Sequence, residues 1–408
     1  MDIGCKHKSF GYRSMSRNES LSFLHAAHFF DHFFILIFPT AAIALARDWN
    51  MTYAATLSLG TPVYALFALG TLPAGWLGDR YDRMSLIILF FVGCGFSSIA
   101  IAFSSGPLSL MVGLGVLGLF AALYHPIGLA LVTNIASRSG RALAVNGIFG
   151  NMGLAGAAIT TGLLAEIAGW RSAFVIPGLF SVALGLLLGW RHLQTRNRQQ
   201  ETFQVSRLSH HDTSRRSQWL IFTIVCVSAL FGGFVFNAIT ISLSKFFDER
   251  LVGLEGDLTW VGAYAGLVFG LAAFAQLPVG ELLDRFGARI IMLCLLSSQT
   301  VLLVALAFLE GWMVFPVSLA LVTLIFAEIP ITTWLLGRYI HPALRSRAVS
   351  IEYTLALGVG ALIVPILASM HGAGLGFDVQ FLGLSVSAAI VFVAAFFLPE
   401  NQRVPQST

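Results

Sequence analysis

The chain has 408 residues, of which 57% are hydrophobic and only 11% charged, and its formal net charge is +4. A soluble domain has roughly 25% charged residues, so this chain has too few polar side chains to cover a water-exposed surface. The composition excludes an ordinary soluble protein and predicts one that lies in a lipid bilayer.

Apolar segments recur along the whole sequence, and each is close to the length of about 20 residues that a membrane span needs. The pattern predicts an all-α membrane protein with twelve transmembrane helices. They lie near residues 19–46, 52–78, 84–104, 107–136, 140–168, 171–193, 218–247, 258–283, 288–309, 312–339, 345–370 and 377–398. A polar stretch separates six spans from six, which predicts an N-terminal bundle (1–193), a linker (194–217) and a C-terminal bundle (218–408).

Lys and Arg residues are distributed unevenly between the two sides of this predicted topology. All but four of the 24 lie on the side of the termini and the linker, and the exceptions are Arg47, Arg171, Lys245 and Arg250. The positive-inside rule therefore places both termini in the cytoplasm. We expect a multi-pass protein of the plasma membrane, in bacteria the inner membrane. The positive charge follows from topology and does not indicate nucleic-acid binding.

A short phrase occurs twice, half a chain apart. Residues 72–81 read LPAGWLGDRY, and residues 277–286 read LPVGELLDRF. Repetition of a charged phrase in so apolar a chain indicates two copies of one module. Internal repeats are typical of secondary transporters.

These repeated loops resemble the signature of the major facilitator superfamily. The first contains Gly75-x-x-x-Asp79-Arg80, and the second contains Gly280-x-x-x-Asp284-Arg285. One departure is Asp82, where the family usually has Gly, and we expect a slightly altered turn there. The resemblance implies two pseudo-symmetric six-helix bundles, transport by alternating access, and no enzyme activity.

The repeated loops and the arginines after spans 4 and 10 are predicted to gate the cytoplasmic side. A carboxylate there can pair with a basic residue or a helix N-terminus in one conformation and release it in the other. Ordinary positive-inside charge is the alternative for the arginines. The predicted gating residues are Asp79, Arg80, Arg83, Asp284, Arg285, Arg289, Arg138, Arg141, Arg345 and Arg347.

The first span carries His25, His28, Asp31 and His32 on one helical stripe, because their spacing follows the turn of a helix. A carboxylate at mid-membrane costs about 2.5–3.5 kcal/mol, so Asp31 should face a wet cavity or a partner. Histidine exchanges protons near neutrality. We predict that Asp31, His28, His32 and the other deep acid, Glu328 in span 10, couple transport to protons. A polar pair that only positions helices remains the alternative.

The same stripe could offer a metal two imidazoles and a carboxylate, from His28, His32 and Asp31. The sequence shows no second cluster that would complete the ligand shell, so no metal site and no cofactor are assigned. Export of a divalent metal or a metal chelate stays open as an alternative, as does a membrane enzyme with a histidine-bound metal.

Two further motifs are similar to the fosmidomycin-resistance type of drug efflux protein. They are His28-Phe-Phe-Asp31 in span 1 and Tyr124-His125-Pro126-x-Gly128 in span 4. The resemblance implies an exporter driven by protons.

The family resemblance places spans 1, 4, 7 and 10 around a central cavity. Polar and aromatic residues at mid-depth in these and flanking spans are predicted to line it. They are Tyr124, His125, Asn237, Thr240, Thr332, Trp334, Tyr64 and Tyr264, with Asn146 and Tyr353 as weaker candidates.

The fifth span carries Gly147, Gly150, Gly153 and Gly156 at intervals of three. Such a small-residue stripe lets helices approach closely. It also looks like the glycine-rich motif of antiporter members, so packing and an antiporter signature both stay open.

Together these patterns predict a secondary active transporter, a proton-coupled antiporter that exports a small organic molecule or drug. Uptake of a small organic anion is the main alternative within transport. The expected partners are the lipid bilayer, protons and a small-molecule substrate, with the chain acting as a monomer.

Overall fold

The computed structural model describes residues 15–135, 139–195 and 214–399, and these ranges are helical almost throughout, with no strand among them. The helices are α1 (Arg17–Asp48), α2 (Tyr53–Ser58), α3 (Thr61–Arg80), α4 (Arg83–Ala102), α5 (Pro107–Ala121), α6 (Tyr124–Ile135), α7 (Ser139–Ala168), α8 (Ser172–Thr195), α9 (Arg215–Val227), α10 (Gly233–Arg250), α11 (Leu258–Ala272), α12 (Gln276–Phe286), α13 (Ala288–Phe308), α14 (Val314–Tyr339), α15 (Pro342–Gly372) and α16 (Phe377–Ala395).

Twelve stretches of these helices are long and apolar enough to cross a membrane, which confirms the predicted fold class and span count. Four spans contain a break. The second combines α2 with α3, and the fourth combines α5 with α6. The seventh joins α9 to α10 through a π-helical turn, and the eighth joins α11 to α12 through a 3₁₀ turn.

The two repeated loops end their helices in different ways. In the second copy Gly287 has φ +79°, a left-handed conformation that glycine adopts without steric cost. In the first copy Asp82 has φ −60°, and its side chain accepts a hydrogen bond from the backbone N–H of Ser85, which caps α4. The turn at Asp82 therefore differs from its counterpart, as expected from the sequence departure.

Several pairs of helices connect the part of the chain before residue 195 to the part after residue 214. They are α7 with α11 and α12, α3 and α2 with α15, and α1 with α10. The closest approach is between α7 and α11. There a Cβ on Gly162 would strike the carbonyl of Leu258, and a Cβ on Gly262 would strike the carbonyl of Ala158. Glycine at both positions permits this backbone contact.

Polar contacts also join these parts at the end of the bundle where α1 finishes. Arg47 donates to the carbonyl of Gly256 at 3.0 Å and lies 3.8 Å from Asp248. Nearby, the hydroxyls of Thr40 and Ser244 lie 3.0 Å apart and are buried. We call this end, remote from residues 15 and 399, the far end. These contacts hold the two parts of the chain together at the far end.

Candidate functional site

The histidine stripe of α1 faces the interior of the bundle. Asp31 has no exposed surface, and His28 is 6% exposed. The stripe packs against α6 and α7, the second part of span 4 and the whole of span 5. A buried carboxylate without a partner would be very costly, so its neighbours decide what it can do.

The partner of Asp31 is His125 on α6, whose Nε2 lies 3.1 Å from the Asp31 Oδ2. Both side chains are nine-tenths or more buried. Apart from this pair, neither Asp31 oxygen nor either His125 ring nitrogen has a hydrogen-bond partner among the described residues. The sequence analysis placed Asp31 in a proton site and His125 in a substrate cavity, and the structure brings them together.

Asn146 on α7 organises the polar groups on the other side of the stripe. Its backbone carbonyl accepts a hydrogen bond from His28 Nδ1 at 2.7 Å. Its side-chain Oδ1 lies 3.0 Å from His25 Nδ1 and 3.1 Å from the Tyr124 hydroxyl. Asn146 is completely buried. It was only a weak candidate, because one amide in a span carries little signal without its neighbours.

Three imidazoles meet at this point. One ring nitrogen from each of His28, His32 and His125 lies within 4.8 Å of the other two. The sequence showed only two of them, because His125 comes from a different span. The His125 ring also lies next to that of Tyr353 on α15, with 5.7 Å between ring centroids. The cluster of His28, Asp31, His32 and His125 is called the histidine cluster below.

The glycine stripe of α7 packs largely against α1. A Cβ on Gly150 would lie 2.7 Å from His28 Nε2, and one on Gly153 would strike the carbonyl of Phe29. Gly156 faces the ring of Phe29, whereas Gly147 faces Gln276 of α12. The stripe therefore serves packing, and it leaves room for the His28 ring.

Glu328, the second deep acid, lies apart from the histidine cluster on α14. It is 8% exposed. The hydroxyl of Ser228 donates to its Oε1 at 2.7 Å, and the amide of Gln299 donates to its Oε2 at 3.1 Å. Ser228 begins the π-helical turn of span 7, residues Ser228–Gly232, and such turns occur frequently at functional sites. The sequence does not indicate Ser228 and Gln299 as partners of Glu328, because their residue types are common on packed helices.

Two of the predicted cavity residues lie between spans 2, 7 and 11. A Cβ on Gly360 of α15 would lie 3.0 Å from Asn237 Oδ1 and 3.3 Å from the Tyr64 ring. The Asn237 amide donates to the carbonyls of Gly233 at 2.9 Å and Ala356 at 3.4 Å, which ties α10 to α15. The Tyr64 hydroxyl donates to the carbonyl of Ile35 on α1.

Of the other predicted cavity residues, Thr240 and Trp334 contact their own helices, whereas Tyr264 contacts another span and Thr332 also bonds Glu352 of α15. The Thr240 hydroxyl donates to the carbonyl of Phe236, and that of Thr332 to the carbonyl of Ile329. Trp334 lies beneath the Arg338 guanidinium. Tyr264 packs among the rings of Trp260, Trp312 and Phe315, at the far end of spans 8 and 10.

Four of the predicted gating residues form contacts near their own loops. Asp79 lies 3.6 Å from Arg83, and Arg285 lies 3.9 Å from Glu281. Arg80 stacks on Trp76. Arg289 lies at the start of α13, and Arg347 is exposed on α15. Arg138 lies outside the described residues, as do the side chains of Arg141, Asp284 and Arg345.

Asp82 has a second role beside capping α4. The Nε2 of His192, on α8, lies 3.0 Å from its Oδ2, and the Ser85 hydroxyl donates to the same oxygen at 2.7 Å. The hydrogen bond with His192 holds the pKa of the Asp82 carboxyl well below its usual range, because it favours the ionised form. The loop between spans 2 and 3 is thereby fastened to span 6.

Comparison with known proteins gives one family match. The model of the Major Facilitator Superfamily matches residues 21–327, about three quarters of the chain. Among solved structures, a bacterial homologue of the human lysosomal transporter Spinster, inward-facing and unoccupied, superposes with a TM-score of 0.69. It covers 98% of this chain and 100% of that one at 16% identity, so the likeness is one of fold.

Curated relatives include transporters and resistance proteins. A gallate transporter of Pseudomonas putida is 28% identical over 163 residues, 40% of this chain and 36% of that protein. A probable 4-methylmuconolactone transporter of Cupriavidus pinatubonensis is 26% identical over 69% of both chains. The puromycin resistance protein pur8 of Streptomyces alboniger is 30% identical over 36% of this chain and 28% of that protein. These likenesses indicate a membrane transporter and not an enzyme.

Proposed function

Because this chain belongs to the Major Facilitator Superfamily, we propose that it is a proton-coupled antiporter that exports a small neutral or cationic organic molecule. The observation that carries the proton coupling is the Glu328 carboxyl. It is buried between Ser228 and Gln299, and both of these neighbours are neutral. A buried acid that no cation compensates is costly in its charged form, so it is suited to taking up and releasing a proton.

The neighbours of Glu328 can accommodate both protonation states. In the charged state the Ser228 hydroxyl and the Gln299 amide donate to its two oxygens, as in this structure. In the neutral state the carboxyl can donate its own proton to Ser228, since a hydroxyl both donates and accepts. Proton uptake therefore leaves the buried oxygens bonded. The proton roles predicted for Asp31, His28 and His32 are part of the same proposal.

The charges at mid-membrane support a neutral or cationic cargo. Within the described spans the deep acids are Asp31 and Glu328, both less than a tenth exposed. The Lys and Arg residues of these spans lie within about five residues of a span end. A carboxylate cargo at mid-membrane would find only histidines to balance its charge. A cationic cargo would find two carboxylates.

The contacts of the far end support alternating access. Arg47 and Thr40 of α1 join the two parts of the chain there, while Asp79 and Arg285 pair within their own loops at the opposite end. This arrangement fits a state that is closed at the far end. In the proposed cycle the far-end contacts break, and the predicted gating residues then engage partners across the two bundles.

Uptake of an aromatic acid is the competing function, because two relatives are named as transporters of gallate and of 4-hydroxybenzoate. Those likenesses cover 40% and 39% of this chain, and the relatives with drug-resistance names cover 36%. The absence of mid-membrane Lys and Arg from the described spans argues against it.

A compound panel tests the choice of cargo. Inverted membrane vesicles that contain the chain would be energised, and a pH-sensitive dye would report the proton gradient. We expect aromatic amines, with puromycin as the first probe, to dissipate the gradient. Gallate and other aromatic acids should have no effect. A response to the acids alone would contradict the proposed cargo and favour the competing function.

A further inference from the structure

We infer that His28, His32 and His125 form a binding site for a divalent transition-metal ion, with Asp31 supplying the adjacent negative charge. One ring nitrogen from each histidine lies within 4.8 Å of the other two. Imidazole is a preferred ligand of Zn²⁺, Co²⁺ and Ni²⁺, whereas Mg²⁺ and Ca²⁺ prefer oxygen ligands. The site shares Asp31, His28 and His32 with the proposed function, but the observation that carries the proton coupling is Glu328, so metal binding and coupling through Glu328 can fail separately.

The hydrogen bond of His28 leaves one nitrogen available for a metal. Its Nδ1 lies 2.7 Å from the backbone carbonyl of Asn146, which can only accept, and 3.0 Å from the side-chain Nδ2 of the same residue, which can only donate. We assign the proton to Nδ1 because the contact with the carbonyl is the shorter of the two. The Nε2 of His28 then has the lone pair, and it is buried without a partner among the described residues. Metal-binding histidines commonly donate their other nitrogen to a carbonyl in this way, which fixes the tautomer and the ring orientation.

The pair of His125 and Asp31 also indicates a binding site for a ligand. Their only contact on these atoms is with each other, across 3.1 Å. Buried polar groups are normally hydrogen-bonded, and a cluster of histidines that served packing alone would be expected to have partners. Here the ring nitrogens and carboxylate oxygens that have no partner belong to side chains that lie next to one another. This arrangement points to a bound ligand that would satisfy them. A carboxylate beside a ligating imidazole raises its basicity.

The spacing requires a modest closure of the cluster. In a tetrahedral site with metal–nitrogen distances of 2.0–2.1 Å, the ligand nitrogens lie about 3.3 Å apart. In this structure the three nitrogens lie within 4.8 Å of one another, so any two of them must approach by about 1.5 Å at most to bind one metal ion. His28 and His32 are one helical turn apart on α1, and His32 is only partly buried, so its side chain has room to rotate. Three imidazoles also leave a fourth position for water, for Asp31 or for a donor atom of a chelate.

Equilibrium binding of Co²⁺ to the purified full-length chain in detergent tests the site, after any affinity tag of histidines has been removed. We expect about one Co²⁺ per chain, with the strong visible absorption of a tetrahedral site and displacement by Zn²⁺. Each of His28→Gln, His32→Gln and His125→Gln should weaken binding by at least about tenfold. His371→Gln is the matched control. Its ring packs against Tyr53 and Phe377, and it should bind like the parent.

Three outcomes would overturn the inference. They are no Co²⁺ binding by the folded parent, unchanged binding by His32→Gln and His125→Gln, or an equal loss in His371→Gln. The last would mean that binding depends on the fold or on surface histidines. Melting temperature and elution as a single species would show that each variant is folded. Titration with Co²⁺ in the presence of citrate would distinguish the free ion from a chelate, since tighter binding with citrate would indicate the latter.

Discussion

The carboxylate of Asp31 and the imidazole of His125 meet 3.1 Å apart inside the bundle, one on span 1 and the other on span 4. Both are buried, and the contact joins two helices that are far apart in the chain. His125 in turn faces Tyr353 of α15. The pair of Asp31 and His125 thus links the deep acid of span 1 to α15, a helix from the other half of the chain. This link offers a route by which a conformational change can pass between the halves.

Replacing Asn146 with Leu should destabilise the protein. The change removes the side-chain partner of His25 and one partner of Tyr124, and it leaves buried polar atoms unpaired. The cost is about 1–3 kcal/mol, to be measured as a lower melting temperature in detergent. Asn151→Leu is the control on the same helix, because the buried Nδ2 of Asn151 has no hydrogen-bond partner among the residues that the structure describes. Equal losses in both variants would contradict the role given to Asn146.

Gly150→Ala should disturb the histidine cluster without removing a ligand. The new Cβ would lie 2.7 Å from His28 Nε2, so the His28 ring must move. We expect Co²⁺ binding several-fold weaker than in the parent, with little change in melting temperature. The control is Gly358→Ala, where a Cβ has open space. Unaltered binding in Gly150→Ala would mean that the glycine is not needed to position His28.

The pairing of Asp82 with His192 predicts a pH-dependent stability. Because the folded pKa of Asp82 is lowered, its contribution is complete above the unfolded pKa of about 3.9 and is lost as the pH falls through the folded pKa. Asp82→Asn keeps a capping side chain but removes the charge. The difference in melting temperature between parent and variant should be present at pH 7 and should shrink below about pH 4. A difference independent of pH would contradict the assigned charge interaction.

Gly262→Val should open the far end of the bundle. A side chain there would strike the backbone carbonyl of Ala158, which cannot rotate away, so α7 and α11 must separate. Spin labels at the exposed positions Ser105 and Ala373, one in each half, should report longer distances in a cysteine-depleted background. Gly383→Val is the control, since a Cβ there meets nothing within 4 Å. Unchanged distances in Gly262→Val would show that this contact does not set the closed state.

The twelve spans could be predicted because the apolar length of a span is a local property. The repeated loops indicated the family, and Asp82, which stands where the family usually has Gly, indicated an altered turn. The histidine stripe of α1 was also visible, because steps of three and four place its members on one face of a helix. All of these signals come from residues that are close together in the chain.

The partners of the deep acids could not be predicted in the same way. Nothing local to His125 indicates that it completes a cluster with His28 and His32, since that depends on how span 4 packs against span 1. Ser228 and Gln299 meet Glu328 only because spans 7, 9 and 10 converge. Tyr264 shows the reverse case, because an aromatic residue at cavity depth in the sequence packs among other rings at the far end.

The most direct test of the proposed function is proton movement in vesicles that contain the Glu328→Gln variant. Glu281→Gln is the matched control, because its carboxylate is exposed on the middle of α12. With puromycin, or whichever compound of the panel dissipates the proton gradient with the parent, we expect Glu328→Gln to lose the response and Glu281→Gln to keep it. A Glu328→Gln variant that couples protons to the compound as the parent does would show that Glu328 does not carry the coupling proton.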